Sequence, residues 1–304
     1  MDDSISTSNI QMQQEQKWLV FDLVDQCNLT CPSCYRGIHG NASGKMSIEN
    51  AKRMLDHLFI HFSFDYIMPY SWSEPFLCKN LPDFIELFAQ YPAKLHLSSN
   101  LNLPLKEDDL RRILPHLTQL RLSATGLDQE SYEVYHRNGK IEKVLKNMEL
   151  LSKIRQETDA QTEFVWMFGR TLYNGNQEQK IRDFCNQNGW NFDSYTYYLT
   201  DVKDLYKVYN NEPISPETYE VLYPSYEALR EQLLSKLTPK RCPFLSRDIV
   251  VDTNMNLMTC CTTDISLNIP VTSITSTEEL ISSRLKNPFC KKCFEIGLCG
   301  LFWT

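Results

Sequence analysis

The sequence predicts an α/β protein with a largely parallel β-sheet. Short apolar runs alternate with longer stretches of helical periodicity from Trp18 to Tyr197. Such alternation is typical of strand–helix–strand units, in which neighbouring strands run parallel. With 304 residues, 42% of them hydrophobic, the chain is long enough for one large domain and a smaller one.

The expected strands and helices follow one another in a regular order. Strands are predicted at residues 18–24, 65–68, 94–97, 119–123, 163–168 and 191–197. Helices are predicted at residues 48–59, 81–89, 108–114, 131–135, 141–155 and 177–186. Ser47 is the expected N-cap of the first helix, because a serine hydroxyl accepts a hydrogen bond from a free backbone N–H. The residues alone allow an open barrel or a doubly wound sheet.

The flanking segments depart from this rhythm. Residues 1–16 are polar and are expected to form a disordered tail before a main domain of residues 17–198. Residues 199–240 are rich in proline and tyrosine, which indicates a connector. Residues 241–304 hold many of the cysteines and are expected to form a small second domain.

Composition excludes several classes of function. The formal net charge of −7 and the lack of a dense basic run argue against a nucleic-acid partner. No apolar run approaches the ~20 residues of a membrane span. Residues 1–16 lack the apolar core of a signal peptide. We therefore expect a soluble cytoplasmic protein that does not bind membranes.

The cysteines carry the strongest signal. The chain has 11 of them and no export signal, and clustered cysteines in a cytosolic chain bind metal more often than they form disulfides. All but Cys78 and Cys185 fall into two groups, and these two are interpreted as core residues.

The first group lies directly after a predicted buried strand and consists of Cys27, Cys31 and Cys34. Thiolates suit soft metals, and an iron–sulfur cluster held by only three of them leaves one iron open to another ligand. A structural or zinc site is the alternative, although zinc sites usually pair one Cys-x2-Cys with a second pair.

The spacing Cys27-x3-Cys31-x2-Cys34 strongly resembles that of the radical S-adenosylmethionine (SAM) superfamily. The resemblance implies a catalytic 4Fe–4S cluster on these three cysteines, with SAM on the open iron. In that family one electron from the cluster cleaves SAM, and the resulting 5′-deoxyadenosyl radical abstracts hydrogen from a substrate. The implied fold is a partial (β/α)6 TIM-like barrel. The implied electron donor is a protein such as flavodoxin or ferredoxin.

Polar residues after the predicted strands resemble the family's SAM-binding positions. Ser73-Glu74-Pro75 resembles the Gly-Gly-Glu-Pro turn that holds the SAM amino group, and Glu74 would accept a hydrogen bond from it. Ser99-Asn100 resembles the polar end of the third strand, and Ser123 the serine that ends the fourth. Arg137 matches an arginine that pairs with the SAM carboxylate.

Two positions depart from the family pattern. The residue before the third cysteine is commonly aromatic in the family, whereas here it is Ser33, and Tyr35 is expected to fill part of the space beside SAM. Where the family often has an aspartate after the fourth strand, this chain has Thr125, so no role of that aspartate carries over.

The second group resembles the Twitch form of the SPASM domain, which binds an auxiliary cluster in radical SAM enzymes. The resemblance implies a second 4Fe–4S cluster with four thiolate ligands: Cys242, Cys260, Cys290 and Cys293. Cys261 and Cys299 remain unassigned, and Cys299 either replaces one of the four or lies beside the cluster. A structural zinc site is the alternative, because four thiolates serve zinc equally well.

Together the resemblances imply a radical SAM oxidoreductase. We expect it to abstract hydrogen from a small, sugar- or aminocyclitol-like substrate and to oxidise that substrate through the auxiliary cluster. The alternative is a maturase that cross-links or epimerises a ribosomally made peptide. Few residues precede the first strand to form a leader-binding domain, which favours the small substrate. The alternative of another class is a non-catalytic zinc or iron–sulfur protein.

Overall fold

The computed structural model describes residues 17–197 and 199–303. Its strands are β1 (Lys17–Phe21), β2 (Phe64–Met68), β3 (Lys94–Ser99), β4 (Gln119–Ala124), β5 (Glu163–Arg170), β6 (Asn191–Thr196), β7 (Asp248–Val251), β8 (Asn256–Met258) and β9 (Ser266–Pro270). Within these residues the strands form one sheet in the order β6-β5-β4-β3-β2-β1-β7-β8-β9. Pairing is parallel from β6 to β7 and antiparallel from there to β9.

Helices connect the strands and cover the outer face of the sheet. They are α1 (Tyr35–His39), α2 (Ile48–His61), α3 (Leu81–Phe88), α4 (Glu107–Ile113), α5 (Gln129–Glu133), α6 (Ile141–Glu157), α7 (Glu178–Asn188), α8 (Val202–Tyr209), α9 (Tyr226–Ser235), α10 (Thr277–Lys286) and α11 (Pro288–Ile296). The hydroxyl of Ser47 accepts the N–H of Asn50 at 3.1 Å and so caps α2.

The part of the sheet from β1 to β6 curves so that the segment after β6 meets the loop after β1 at the carboxyl edge. Thr200, shortly after β6, donates its N–H and its hydroxyl to the carbonyl of Ser33, in the loop after β1. Phe21, Leu97 and Trp166 are fully buried in the main core beneath the helices. Because the carboxyl ends of β1–β6 share one edge, the loops that follow them surround a single concavity.

This architecture confirms the predicted α/β fold with a largely parallel sheet. The spatial order of β1–β6 follows the chain order, as in a partial (β/α)6 barrel, whereas a doubly wound sheet reverses its order at a switch point. Strands β7 and β8 form an antiparallel hairpin.

Two features differ from the sequence-based description. Helix α8 lies in the stretch interpreted as a connector. In addition, β7 pairs with β1, so the C-terminal segment continues the main sheet. The domain boundaries stay predictions, and the expected tail of residues 1–16 lies outside the described residues.

Candidate functional site

The first cysteine loop is held by contacts to its backbone. Cys27 donates its N–H to the side-chain oxygen of Asn41 at 2.8 Å, and the Asn41 amide donates back to the Cys27 carbonyl at 3.1 Å. At Gly37 in α1, a Cβ atom would lie 1.9 Å from the carbonyl oxygen of Cys31. Only glycine therefore allows α1 to pack this closely against the loop.

All three cysteines of this loop face one open cavity at the carboxyl edge of β1–β4. Burial raises the pKa of Cys27 to about 12. Burial, and next the neighbouring thiolates, raise the pKa of Cys31 well above its ordinary value. Three buried thiols whose negative forms repel one another ionise together only when a cation binds between them. The donor set therefore fits a cationic iron–sulfur core.

The cavity is otherwise lined by polar and aromatic side chains. Its other lining residues are Leu29, Tyr70, Ser71, Trp72, Ser73, Glu74, Ser98, Ser99, Asn100, Ser123, Tyr135, His136, Tyr197 and Thr200. Five of the predicted SAM-contacting residues are among them: Ser73, Glu74, Ser99, Asn100 and Ser123. The structure thus brings most of the predicted site together around one space.

A buried carboxylate that the sequence analysis did not single out shapes the turn before Glu74. Asp22 accepts hydrogen bonds from the backbone N–H groups of Ser71, Trp72 and Ser73 and, at 2.5 Å, from the Ser73 hydroxyl. Burial raises the pKa of Asp22, although these hydrogen bonds oppose the shift. The Asp22 carboxylate therefore orders this turn, which contains glycines in the family that the chain resembles.

Glu74 lies at the centre of a second buried network. Its Oε1 accepts the Ser99 hydroxyl at 2.8 Å and the Phe76 N–H at 3.2 Å, and its Oε2 accepts the Asn100 N–H at 2.9 Å. Each carboxylate oxygen has two acceptor positions, so Oε2 keeps one for a ligand. Burial raises the pKa of Glu74 to about 7. The Asn100 amide also lies 3.7 Å from the sulfur of Cys27, which links this network to the cysteine loop.

An aromatic wall closes the opposite side of the cavity. The hydroxyl of Tyr135 is 2.7 Å from that of Ser33, and its ring stacks on Tyr197 at 3.8 Å. The Tyr197 hydroxyl in turn lies 3.4 Å from that of Ser123. The aromatic ring beside the small Ser33 therefore comes from Tyr135, which is distant in sequence. Tyr197 comes directly after β6.

Thr125, where the family often has an aspartate, is fully buried and does not line the cavity. Its hydroxyl donates to the Tyr132 carbonyl at 3.2 Å and lies 3.1 Å from Nδ1 of His136. Burial lowers the pKa of His136 to about 3, so this imidazole lines the cavity in its neutral form. Thr125 thus positions a neutral histidine.

Two predicted SAM-binding residues lie outside the cavity lining. The Arg137 guanidinium pairs with Glu217 at 3.6 Å, and both side chains are exposed to solvent. The backbone of Arg137 nevertheless contacts the cysteine loop, because its carbonyl accepts the Thr30 N–H. Tyr35 donates its hydroxyl to Asp264 at 2.9 Å, and its ring lies beside Trp72.

The second cysteine group surrounds a smaller, apolar cavity. Its lining includes the four predicted ligands Cys242, Cys260, Cys290 and Cys293. Burial raises the pKa of Cys260 and of Cys290 to about 12. Its hydrogen bond with Cys299 lowers the pKa of Cys242.

The two unassigned cysteines differ in position. Cys299 lines the same cavity, and its sulfur lies 3.8 Å from each of the sulfurs of Cys242 and Cys293. Cys261 is absent from that lining and packs towards Val250 and Met258. Five thiols therefore surround the second cavity.

Over residues 17–197 and 199–303, no three His, Cys, Asp or Glu side chains converge on the point that a single metal ion would occupy. The thiols surround cavities instead. In the same part of the chain, no helix has the length and apolar character needed to cross a bilayer.

A family model described as the radical SAM superfamily matches residues 22–187, which is more than half of the chain. The chain belongs to the radical SAM superfamily. The matched residues include the first cysteine loop and the strands β2–β5 that carry the polar lining. Membership of this superfamily supports an enzyme that uses SAM and a 4Fe–4S cluster.

Solved structures of radical SAM enzymes share the fold. Native anSMEcpe with bound AdoMet is 16% identical and has a TM-score of 0.60. The match covers 93% of this chain and 88% of the anSMEcpe chain. Streptococcus suis SuiB bound to the precursor peptide SuiA is 14% identical, also with a TM-score of 0.60, and covers 94% of this chain and 71% of its own. No curated protein matches the sequence.

Proposed function

We propose that this radical SAM protein binds a 4Fe–4S cluster through Cys27, Cys31 and Cys34 and cleaves SAM in the adjoining cavity. The observation that carries the proposal is the convergence of these three thiols on the same space as Glu74 and Asn100. When bound, the cluster supplies the electron that cleaves SAM to the 5′-deoxyadenosyl radical, which abstracts hydrogen from the substrate.

The chain's own residues would position SAM. The free acceptor position on Glu74 Oε2 suits the SAM amino group, and the Ser71–Ser73 turn held by Asp22 supplies the adjoining surface. The hydroxyls of Ser99 and Ser123 suit the ribose and methionyl groups. The Tyr135 and Tyr197 rings offer a flat apolar surface for adenine.

We propose that the second cavity holds an auxiliary 4Fe–4S cluster in a Twitch-like unit. Thiols that surround a cavity suit a cluster of several irons better than one zinc ion, whose four sulfurs must all lie about 2.3 Å from a single point. Cys242, Cys260, Cys290 and Cys293 are the proposed ligands. Cys299 is a fifth thiol in contact with two of them.

The substrate we propose is small and rich in hydroxyl groups, like a sugar or an aminocyclitol, and the net reaction is an oxidation that passes an electron to the auxiliary cluster. Within the described residues, the lining of the first cavity contains no lysine or arginine to bind a phosphate, whereas serine, threonine and tyrosine hydroxyls are abundant. Peptide maturation is the second candidate, because SuiB, which has the same fold, is bound to a precursor peptide.

We also propose the electron donor and the location of the reaction. A flavodoxin- or ferredoxin-like protein in the cytoplasm would deliver the electron. Neither a nucleic acid nor a membrane takes part in this scheme.

The deciding experiment combines iron analysis with product analysis. After anaerobic reconstitution with iron and sulfide, two clusters correspond to about eight irons per chain, and SAM with dithionite should yield 5′-deoxyadenosine. Cys27→Ala should abolish that product, whereas Cys293→Ala should lose about four irons and still cleave SAM. Cys185→Ala, in the core, is the matched control and should change neither. A reconstituted protein that holds its first cluster but forms no 5′-deoxyadenosine would contradict the proposal.

A further inference from the structure

Arg284, on α10, has no exposed surface, although an arginine on a short helix is normally solvated. Its Nη1 donates to the carbonyls of Phe244 at 2.5 Å and Leu245 at 2.9 Å, and its Nε donates to the carbonyl of Met258 at 3.4 Å. Phe244 follows Cys242 closely in the chain, and Met258 precedes Cys260. One side chain therefore ties together the two segments that carry these cysteines.

The other nitrogen of this guanidinium has no partner. Nη2 is buried and makes no hydrogen bond within the described residues. A buried charged donor without a partner is unfavourable, so Nη2 calls for an acceptor or counter-charge that the described protein atoms do not supply. The carboxylate that acts on Arg284, Asp248, is already paired with Arg247.

The position of Arg284 points to the second cavity, because its acceptor Leu245 lines that cavity and its acceptor Met258 adjoins the lining residue Thr259. Burial lowers the pKa of Arg284, and negatively charged neighbours oppose the shift. In order of decreasing effect on the pKa, these neighbours are Cys260, Asp248, Cys290 and Cys242. Three of the four are proposed ligands of the auxiliary cluster, and Cys260 has a larger effect on the Arg284 pKa than the carboxylate of Asp248. Once ionised as cluster ligands, the cysteines around the second cavity would therefore place negative charge beside this guanidinium.

We propose that Arg284 is a built-in counter-cation of the auxiliary cluster, held behind the cavity lining by its bonds to Leu245 and Met258. This inference rests on the proposed auxiliary cluster. Arginine suits the role because it stays charged when buried. A cluster held by four thiolates is anionic and gains negative charge on reduction, so a fixed cation stabilises the reduced form more than the oxidised form. Arg284 thus raises the reduction potential and makes the cluster a better electron acceptor.

The test uses the full chain with Cys27, Cys31 and Cys34 all replaced by alanine, so that only the second site can bind iron. After anaerobic reconstitution with iron and sulfide, the iron content is measured. The midpoint potential is then obtained from a redox titration followed by electron paramagnetic resonance. This background should hold about four irons. Its failure to hold iron would overturn the auxiliary cluster itself, independently of any change at Arg284.

In this background Arg284→Gln should make the ratio of reduced to oxidised cluster at a fixed potential about tenfold smaller, which is about 59 mV for one electron. Arg284→Lys keeps the charge and should change the midpoint potential much less than Arg284→Gln does. Arg112→Gln removes one charge at an exposed pair with Asp83 and Glu86 and should leave the potential unchanged.

The outcomes separate a charge effect from a packing effect. An Arg284→Gln protein that binds iron with an unchanged potential would overturn the inference. If Arg284→Gln folds by circular dichroism but binds no iron, iron binding by Arg284→Lys supports the counter-cation. Loss of iron from both folded variants means that side-chain shape, rather than charge, is required, and refutes it.

Discussion

Replacing Ser33 by the aromatic residue that the superfamily commonly has at this position should damage the protein. Ser33 has no exposed surface, and its hydroxyl lies 2.7 Å from that of Tyr135. A phenylalanine ring at position 33 would need the volume that Tyr135 occupies. Overpacking of a core costs about 1–3 kcal/mol. The Tyr135 hydroxyl would also lose this partner, which costs about 1–3 kcal/mol more.

Ser33→Phe should therefore lower the free energy of unfolding by about 2–6 kcal/mol. At about 2 °C per kcal/mol for a chain of this size, the melting temperature should fall by about 4–12 °C. Ser33→Ala, which removes the hydroxyl without adding volume, is the control and should cost about 1–3 kcal/mol. Urea and thermal unfolding under anaerobic conditions measure both effects.

The double variant Ser33→Phe/Tyr135→Ala makes the test specific to this pair. Tyr135→Ala alone should cost about 3–5 kcal/mol, because it leaves a cavity beside Tyr197. If the two rings compete for one space, the double variant should be at least about 2 kcal/mol more stable than the sum of the single variants predicts. Strictly additive effects, or a Ser33→Phe protein as stable as the wild type, would refute this reasoning.

Three further predictions concern other parts of the site. Asp22→Asn should weaken SAM binding tenfold or more, about 1.4 kcal/mol, because the 71–73 turn loses charged hydrogen bonds. Asp65→Asn, in β2, is the control and should leave the SAM affinity measured by titration calorimetry unchanged. Because the pKa of Glu74 is about 7 in the folded state and near 4.5 when unfolded, folding stability should fall by up to about 3 kcal/mol as pH rises from 4.5 to beyond 7. Glu74→Gln should flatten that dependence in urea titrations, and an unchanged slope would contradict the raised pKa. Cys299→Ala should alter the iron content or the electron paramagnetic resonance spectrum of the auxiliary site, and Cys261→Ala should not.

The parts of the site that could be predicted from the sequence are those set by local spacing. The first cysteine loop and the polar ends of β2–β4 lie within short segments, and an alternating strand pattern brings their ends to one edge. The Ser47 cap was predictable for the same reason, since the hydroxyl and the N–H that it binds are only three residues apart.

Contacts between distant segments could not be predicted from a single sequence. Asp22 reads as an ordinary polar residue at the end of a strand, and only the curved sheet brings the turn at residues 71–73 onto its carboxylate. Tyr135 lies 102 positions from Ser33, so nothing local links the two hydroxyls. Arg284 reads as a surface charge on a polar helix, because its burial depends on the packing of α10 against the segments at Phe244 and Met258.

The short segment from Thr200 to Val202 forms a partition shared by the two cavities. Thr200 lines the first cavity and is bonded to Ser33 in the first cysteine loop. Val202 lines the second cavity, and its N–H is bonded to the Thr262 carbonyl, beside Cys260 and Cys261. With the proposed auxiliary cluster in the second cavity, a ligand that shifts one side of so short a partition would displace the other, and SAM affinity and cluster retention would be linked free energies. Linkage is reciprocal, so loss of the proposed second cluster should change SAM affinity by the same factor by which SAM changes the affinity for that cluster.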